Sequence, residues 1–260
     1  MPVLIHASVE DLDIVRPLAA RLRADGGEVR CYLDDDDYEL RNLGCKLAVG
    51  QLDDEANLEG ALTNVHTLMT LLPDPARVKD ESELEELGAV ARAASSAAST
   101  ADIDQVIAVA SGVSRSDSRL GRSLRECEDG FRSLSTPTCL LRVGLVWGTD
   151  RPFTRLICDL TGEEATRLGD IRLSVLEVDV LVALLTKIDD REAVSGEWDA
   201  GGKPRTVSEL RLLCQAPHSP ASAGPLSPLW REVLGSDLLL PSTAEQEFPS
   251  DPGAVDSVSS

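Results

Sequence analysis

Aromatic residues are scarce in this chain: three Trp, two Tyr and three Phe make 3% of its 260 residues. A surface that stacks on nucleobases or sugars wants more rings than this. The core must rest on Leu, Val, Ala and Ile instead. Positive charge is also short, with 25 Lys and Arg against 45 Asp and Glu and a formal net charge of −20. That argues against a nucleic-acid-binding face and against docking on an anionic membrane. Self-repulsion that aids solubility is the plain reading of the charge, and a basic protein partner is the sharper one. No apolar run approaches the ~20 residues of a membrane span. The six cysteines, Cys31, Cys45, Cys127, Cys139, Cys158 and Cys214, lack the close spacing of a zinc knuckle or a redox pair. Several fall in apolar runs, where a thiol behaves as a small hydrophobe, and the pattern reads as a reducing compartment. Met1 to His6 is too short and uncharged for a signal peptide, and Glu10, Asp11 and Asp13 follow it. A cytoplasmic location is expected.

What is present is a rhythm. Val3 to Ala7 reads as a first strand. Leu12, Val15, Leu18, Ala19 and Leu22 then fall at helical spacing, with Pro17 near the start and Gly26-Gly27 at the end. Further strands are expected at Glu28–Leu33, Cys45–Leu52, Val65–Leu72, Ile103–Ala110 and Thr138–Trp147. Helices are expected at Asp53–Leu62, Ser82–Ala98 and Ser118–Ser133. Strand and helix alternating at this spacing imply βαβ crossovers and a doubly wound parallel sheet. Past Gly148 the rhythm loosens. A short strand at Ile171–Leu173 and helices at Glu177–Lys187 and Val207–Cys214 suggest a smaller C-terminal cap, 151–215. From Ala216 the composition turns to Pro, Ser, Ala and Gly. Residues 216–260 read as a mostly disordered tail, with one amphipathic island at 228–240 whose Trp230 and Leu234 could anchor a partner.

Three ordered stretches carry a resemblance. Gly50-Gln51-Leu52-Asp53 through Leu58, Ala61 and Leu62 resembles a "G-D-L-x-D-x-x-x-L-x-x-A-L" motif. Leu141-Arg142-Val143-Gly144-Leu145-Val146-Trp147-Gly148 resembles "L-R-P-G-x-V-Y-G", and Glu177-Val178-Asp179-Val180 with Ala183 resembles "V-x-D-V-A-x-A" more loosely. These motifs are those of the atypical and extended short-chain dehydrogenase/reductase superfamily, near its NmrA-like and NAD-dependent epimerase-like members. The resemblance covers about residues 2 to 214. It implies a Rossmann-type NAD(P)-binding domain over 1–215, with 151–215 forming the substrate-side region.

The functional positions of that superfamily are altered here. Its first βα turn carries three glycines, which let backbone N–H groups approach the pyrophosphate. Ala7, Glu10 and Asp13 stand at those places. A like-charge pair at about 4 Å costs ~4 kcal/mol at an effective dielectric near 20, so two carboxylates there oppose phosphate; their plain role is to help cap the first helix. Asp34 holds the position of the ribose-binding acid, which permits NAD and disfavours NADP. As part of the run Asp34–Asp37 it also reads as a solvated acidic loop. Gln51 replaces the acid that contacts adenine. In the helix Leu120 to Glu128, Leu120 and Leu124 occupy the places of the Tyr and Lys whose coupling makes a phenol a working acid or base. Ser111 stands where the superfamily has its active-site serine, or serves a loop. Arg122 and Arg125 offer positive charge but no proton near neutral pH.

Other constellations are thin. His6 with Glu10, and Cys214 with His218, lack a third ligand for zinc. Cys214 and His218 as a thiol and its base are the weaker alternative to a buried thiol beside a solvated histidine. The leading expectation is therefore a superfamily-like binding or regulatory protein without dehydrogenase catalysis, without metal and without a resident cofactor, working through a protein partner. The alternatives are an NAD(P)-dependent oxidoreductase or isomerase with an altered site, and an enzyme of another class on the same fold.

Overall fold

The computed structural model describes residues 1–148, 151–160, 162–191, 193–214 and 226–248. Its first half alternates β1 (Val3–His6), α1 (Leu12–Ala24), β2 (Val29–Leu33), α2 (Tyr38–Asn42), β3 (Lys46–Val49), α3 (Glu55–Ala61), β4 (Thr67–Leu71), α4 (Glu81–Thr100), β5 (Gln105–Ser111), α5 (Arg119–Arg132) and β6 (Thr138–Val143). Then follow β7 (Leu145–Trp147), α6 (Pro152–Cys158), α7 (Gly162–Leu168), β8 (Arg172–Glu177), α8 (Val178–Asp189), β9 (Gly196–Ala200), β10 (Lys203–Thr206), α9 (Val207–Leu213), α10 (Pro228–Val233) and α11 (Thr243–Glu247). The main sheet has seven parallel strands in the order β3-β2-β1-β4-β5-β6-β9. This is the doubly wound Rossmann-type architecture the alternation implied.

Strand alternation feeds two cores. Ile5, Met69 and Ile107 face α1 and α8 on one side. Leu4, Leu68 and Val106 face α3, α4 and Phe131 of α5 on the other. Pro17 sits inside α1, in its second turn. Acidic caps start the helices: Asp37 accepts from the Leu40 N–H, Asp54 from Asn57 and Asp80 from Ser82 and Glu83.

The single strand expected over Thr138–Trp147 is two. At Gly144 the chain leaves the main sheet, and β7 joins a second sheet in the order β10-β8-β7. A Cβ on Gly144 would lie 2.6 Å from the Gly201 carbonyl oxygen and 2.8 Å from that of Ser174, so only glycine permits the crossing. This second sheet sits over a third core made by Leu120 and Leu124 of α5, Phe153 of α6, Val207 of α9 and Trp230 of α10.

Two expectations are corrected here. The expected tail, 216–260, carries ordered structure over 226–248, and its island at 228–240 docks on the domain. Trp230 is 1% exposed and its indole N–H donates to the Pro75 carbonyl at 2.9 Å. Leu238 bridges to Leu173, and Ser242 bridges to Ala200. Trp230 and Leu234 are thus core residues, unavailable to a partner. The other residues of the expected tail, 215–225 and 249–260, lie outside the described residues, as does His218. The second correction concerns the cysteines: Cys158 and Cys214 form a disulfide across 56 residues. The fold brings the C-terminal ends of α6 and α9 together, which sequence spacing could not show. Cys214 is therefore no thiol nucleophile, and cysteine usage no longer argues for a reducing compartment. Cys31, Cys45, Cys127 and Cys139 are free.

Candidate functional site

The carboxyl ends of β1, β4 and β5 open onto the first βα turn, where an open α/β sheet places its ligand crevice. Ala7 is buried and its N–H donates to the Tyr32 carbonyl at 3.2 Å. Ser8 then caps a 3-10 turn at Val9–Asp11, which tightens the entry to α1. Asp34, at the end of β2, is drawn into this turn. It accepts from the Ser8 hydroxyl at 3.0 Å and from the Val9 N–H at 2.7 Å. The Asp34 carboxylate thus holds the backbone and hydroxyl of the first βα turn.

Glu10 lies in the first turn of this 3-10 segment and Asp13 in that of α1, where a carboxylate suits the helix dipole, though neither is the N-cap residue. Arg77 pairs with Glu10 at 2.7 Å and with Asp11 at 3.5 Å. Arg151, only 4% exposed, pairs with Asp11 at 2.6 Å, Asp13 at 3.2 Å and Asp74 at 3.3 Å. Four carboxylates thus meet two guanidiniums at the mouth of the turn. Burial pushes the Asp13 and Asp74 carboxyls up, against the pull of Arg151. Asp11 Oδ2 and Arg151 Nε are buried without a hydrogen-bond partner. Behind Arg151 the crevice narrows to a cavity of about 40 Å³, bounded by Leu71, Val109, Ser111, Val143 and Leu181. Small-molecule sites run to roughly 300–1,000 Å³, well above the volume of this cavity. The larger cavity, about 720 Å³, is an open groove beside α4 and the end of α5, away from this edge.

The remaining expected positions have structural partners. Asp34, Asp35 and Asp36 are exposed, as a solvated acidic loop requires, and the run is also paired: Asp36 meets Arg41 at 2.8 Å, and the buried Asp37 caps α2 and pairs with Arg16 at 2.5 Å. The Arg16 hydrogen bond holds the Asp37 carboxyl below the usual range. Gln51 is exposed, and its carbonyl accepts from the Tyr32 hydroxyl at 3.0 Å. His6 is fully buried between Thr70 Oγ1 at 3.0 Å and the Leu52 carbonyl at 3.1 Å. The carbonyl only accepts, so Nε2 carries the proton and Nδ1 takes the Thr70 hydroxyl. Burial lowers its pKa to about 4, which makes it a neutral structural ring.

Leu120 and Leu124 are 0% and 5% exposed and point into the third core. Ser111 Oγ accepts from the Val113 N–H at 3.3 Å, capping a 3-10 turn at the crevice wall. Arg122 donates to the Asp117 carbonyl at 2.6 Å, and Arg125 to the carbonyls of Ser114 and Ser116. Sequence reasoning missed Arg151, Arg77 and Asp74. Their signal is weak: each lies in a connection outside any periodic segment.

No protein-family model matches this sequence, and no curated protein matches it. Solved structures do. A short-chain dehydrogenase/reductase superfamily protein from Agrobacterium tumefaciens with bound NAD aligns at 18% identity and TM-score 0.61, over 82% of this chain and 81% of that one. UDP-glucuronic acid 4-epimerase from Bacillus cereus, in complex with UDP-glucuronic acid and NAD, aligns at 13% identity and TM-score 0.71, over 97% and 94%. This chain has the fold of the short-chain dehydrogenases and NAD-dependent epimerases. UDP-glucose 4-epimerase from Thermotoga maritima aligns at 15% identity and TM-score 0.64, over 95% and 92%. The epimerase alignments extend beyond residue 214, where the sequence motifs stop. Among the described residues no helix is long and apolar enough to cross a membrane.

Proposed function

We propose that this chain is an epimerase-like Rossmann protein that has given up dinucleotide binding and dehydrogenase chemistry and acts as a binding or regulatory protein. One observation carries the reading. Arg151 is buried against Asp11, Asp13 and Asp74 at the first βα turn, where a pyrophosphate would need bare backbone N–H groups. The spent Asp34 and the aliphatic Leu120 and Leu124 support it. The proposal includes a protein partner and a cytoplasmic location, with Cys158–Cys214 a reversible bond.

The second reading is an NAD(P)-dependent oxidoreductase or isomerase with an altered site. The NAD named with two of the structural neighbours favours it, and NAD then suits Asp34 better than NADP. For this reading to hold, Arg151 must leave its seat.

Thermal unfolding with millimolar NAD⁺, NADH, NADP⁺ or NADPH separates the two. A ligand at 100 times its dissociation constant adds ~2.7 kcal/mol. The first reading expects no shift with any of the four, and a clear shift with NAD⁺ or NADH overturns it.

A further inference from the structure

α6 is a bar fastened at both ends. Its N-cap residue is Arg151, seated among the carboxylates of Asp11, Asp13 and Asp74. Its last residue is Cys158, bonded to Cys214 at the end of α9. Seven residues are too few to hold a helix by propagation alone, so α6 depends on its anchors. Phe153 and Ile157 supply the apolar ones, and the Thr154 hydroxyl accepts from the Gly148 N–H at 3.2 Å.

The ionic anchor is a poor one in isolation. Taking a guanidinium and carboxylates out of water offsets most of their attraction unless every polar atom is satisfied. Here Arg151 Nε and Asp11 Oδ2 are left without hydrogen bonds. A seat so balanced is held by what tethers the chain around it. Beside the apolar anchors the disulfide is the covalent tether, and it is reachable. Cys158 and Cys214 are half-buried, and their neighbours Leu212 and Leu213 are 65% and 53% exposed.

We infer that the crevice is closed by an autoinhibitory contact under redox control: Arg151 is the plug, α6 the lever and Cys158–Cys214 the latch. A dithiol reductant supplies two electrons and two protons. The Sγ–Sγ bond breaks, Cys158 and Cys214 each become S–H, and the reductant is oxidised to its own disulfide. With its far end free, α6 lets Arg151 leave the carboxylates and the crevice at Ser111 opens. This rests on the binding role proposed above and deepens it: reduction moves Arg151 but leaves Asp34 on its own turn and Leu120 and Leu124 in the core, so the opened crevice serves binding and not dehydrogenase chemistry.

The test reads Arg151 directly, in full-length protein without any nucleotide. Phenylglyoxal modifies accessible guanidiniums, and peptide mapping locates the adducts. Arg142 is the internal control, because it is 1% exposed and paired with Glu128 at 2.8 Å, on β6 rather than on α6. The expected result is labelling of Arg151 at least tenfold faster after dithiothreitol treatment, with Arg142 still protected. The double variant Cys158→Ser with Cys214→Ser should behave the same without reductant. Equal labelling of Arg151 in the oxidised and reduced protein overturns the proposal. So does labelling of Arg142 in step with Arg151, which means global loosening. So does protein purified without reductant in which the two cysteines are not linked.

Discussion

The mouth of the first βα turn and the start of α5 are both places where the superfamily resemblance puts chemistry, and this chain fills them by opposite means. At the turn, four carboxylates and two guanidiniums are folded together with atoms left over. At α5, Leu120 and Leu124 close the position with hydrocarbon and no polar remainder. The ionic closure is built from titratable carboxyls, and desolvation offsets much of its attraction. The apolar closure has no such handle. Its stabilisation follows area removed from water, and it ties α5 to α6, α9 and α10 as ordinary core.

Removing one member from each region tests that difference. Arg151→Met leaves Asp11 and Asp74 buried, and the more exposed Asp13 beside them, without their shared counter-charge, and breaking such a buried group costs about 3–5 kcal/mol. Urea unfolding should show this as a large fall in midpoint. A loss below 1 kcal/mol would mean the carboxylates simply protonate or rehydrate. Leu120→Ala removes only packing from a residue with no exposed surface, and about 3 kcal/mol is expected from the same measurement. The comparison sharpens if raising salt changes the first loss and not the second.

Acid should act on the charged region alone. The folded-state pKa of His6 lies at about 4, below the ordinary histidine value of 6.5, because the ring is buried. Its neutral ring therefore stabilises the fold fully above pH 6.5, and that contribution drains away as pH falls from 6.5 to 4. At 1.36 kcal/mol per unit the loss approaches about 3 kcal/mol. The Asp13 and Asp74 carboxyls are raised, so their protonation in the folded state opposes the loss as pH falls. His6→Gln should flatten the dependence of Tm on pH over this window, whereas Leu120→Ala should leave its shape unchanged. An equally steep curve in the histidine variant would remove His6 from the account.

The smallest effect is expected from restoring the turn. Ala7→Gly, Glu10→Gly and Asp13→Gly together remove two carboxylates but leave Arg151 on Asp11 and Asp74. Millimolar NAD⁺ should then leave Tm unchanged within about half a degree, because Arg151 keeps its seat on Asp11 and Asp74. A larger shift would make the glycines, rather than Arg151, the deciding obstacle. No shift would locate the obstacle at Arg151 and the narrow crevice.

Much of the fold was legible because its signals are local. Val3 to Leu33 already spells strand, helix and strand through apolar spacing and Gly26-Gly27. The same holds for β4 through α5. The errors fall where local signal is absent. Gly144 reads as one more residue in an apolar strand, yet the carbonyls of Gly201 and Ser174, distant in sequence, make it a crossing point. Residues 226–248 read as a tail because they are short, Pro- and Ser-rich and aperiodic, and they become core only when Trp230 meets Pro75. At the candidate site, Ala7, Glu10, Asp13, Leu120 and Leu124 could be named from position alone, and so could their conflict with phosphate and proton transfer.

By itself the sequence determined the alternation of strands and helices, hence the parallel sheet, and the absence of glycines and of a Tyr–Lys pair at the positions the resemblance marks. Periodicity and residue type are local properties, and they survive without coordinates. Only the tertiary structure decided what replaced them. Arg151 reaches Asp11 across 140 residues and Asp74 across 77, and Cys158 reaches Cys214 across 56. Such pairs depend on chain paths set by the packing of the whole domain, and no spacing along the chain encodes them.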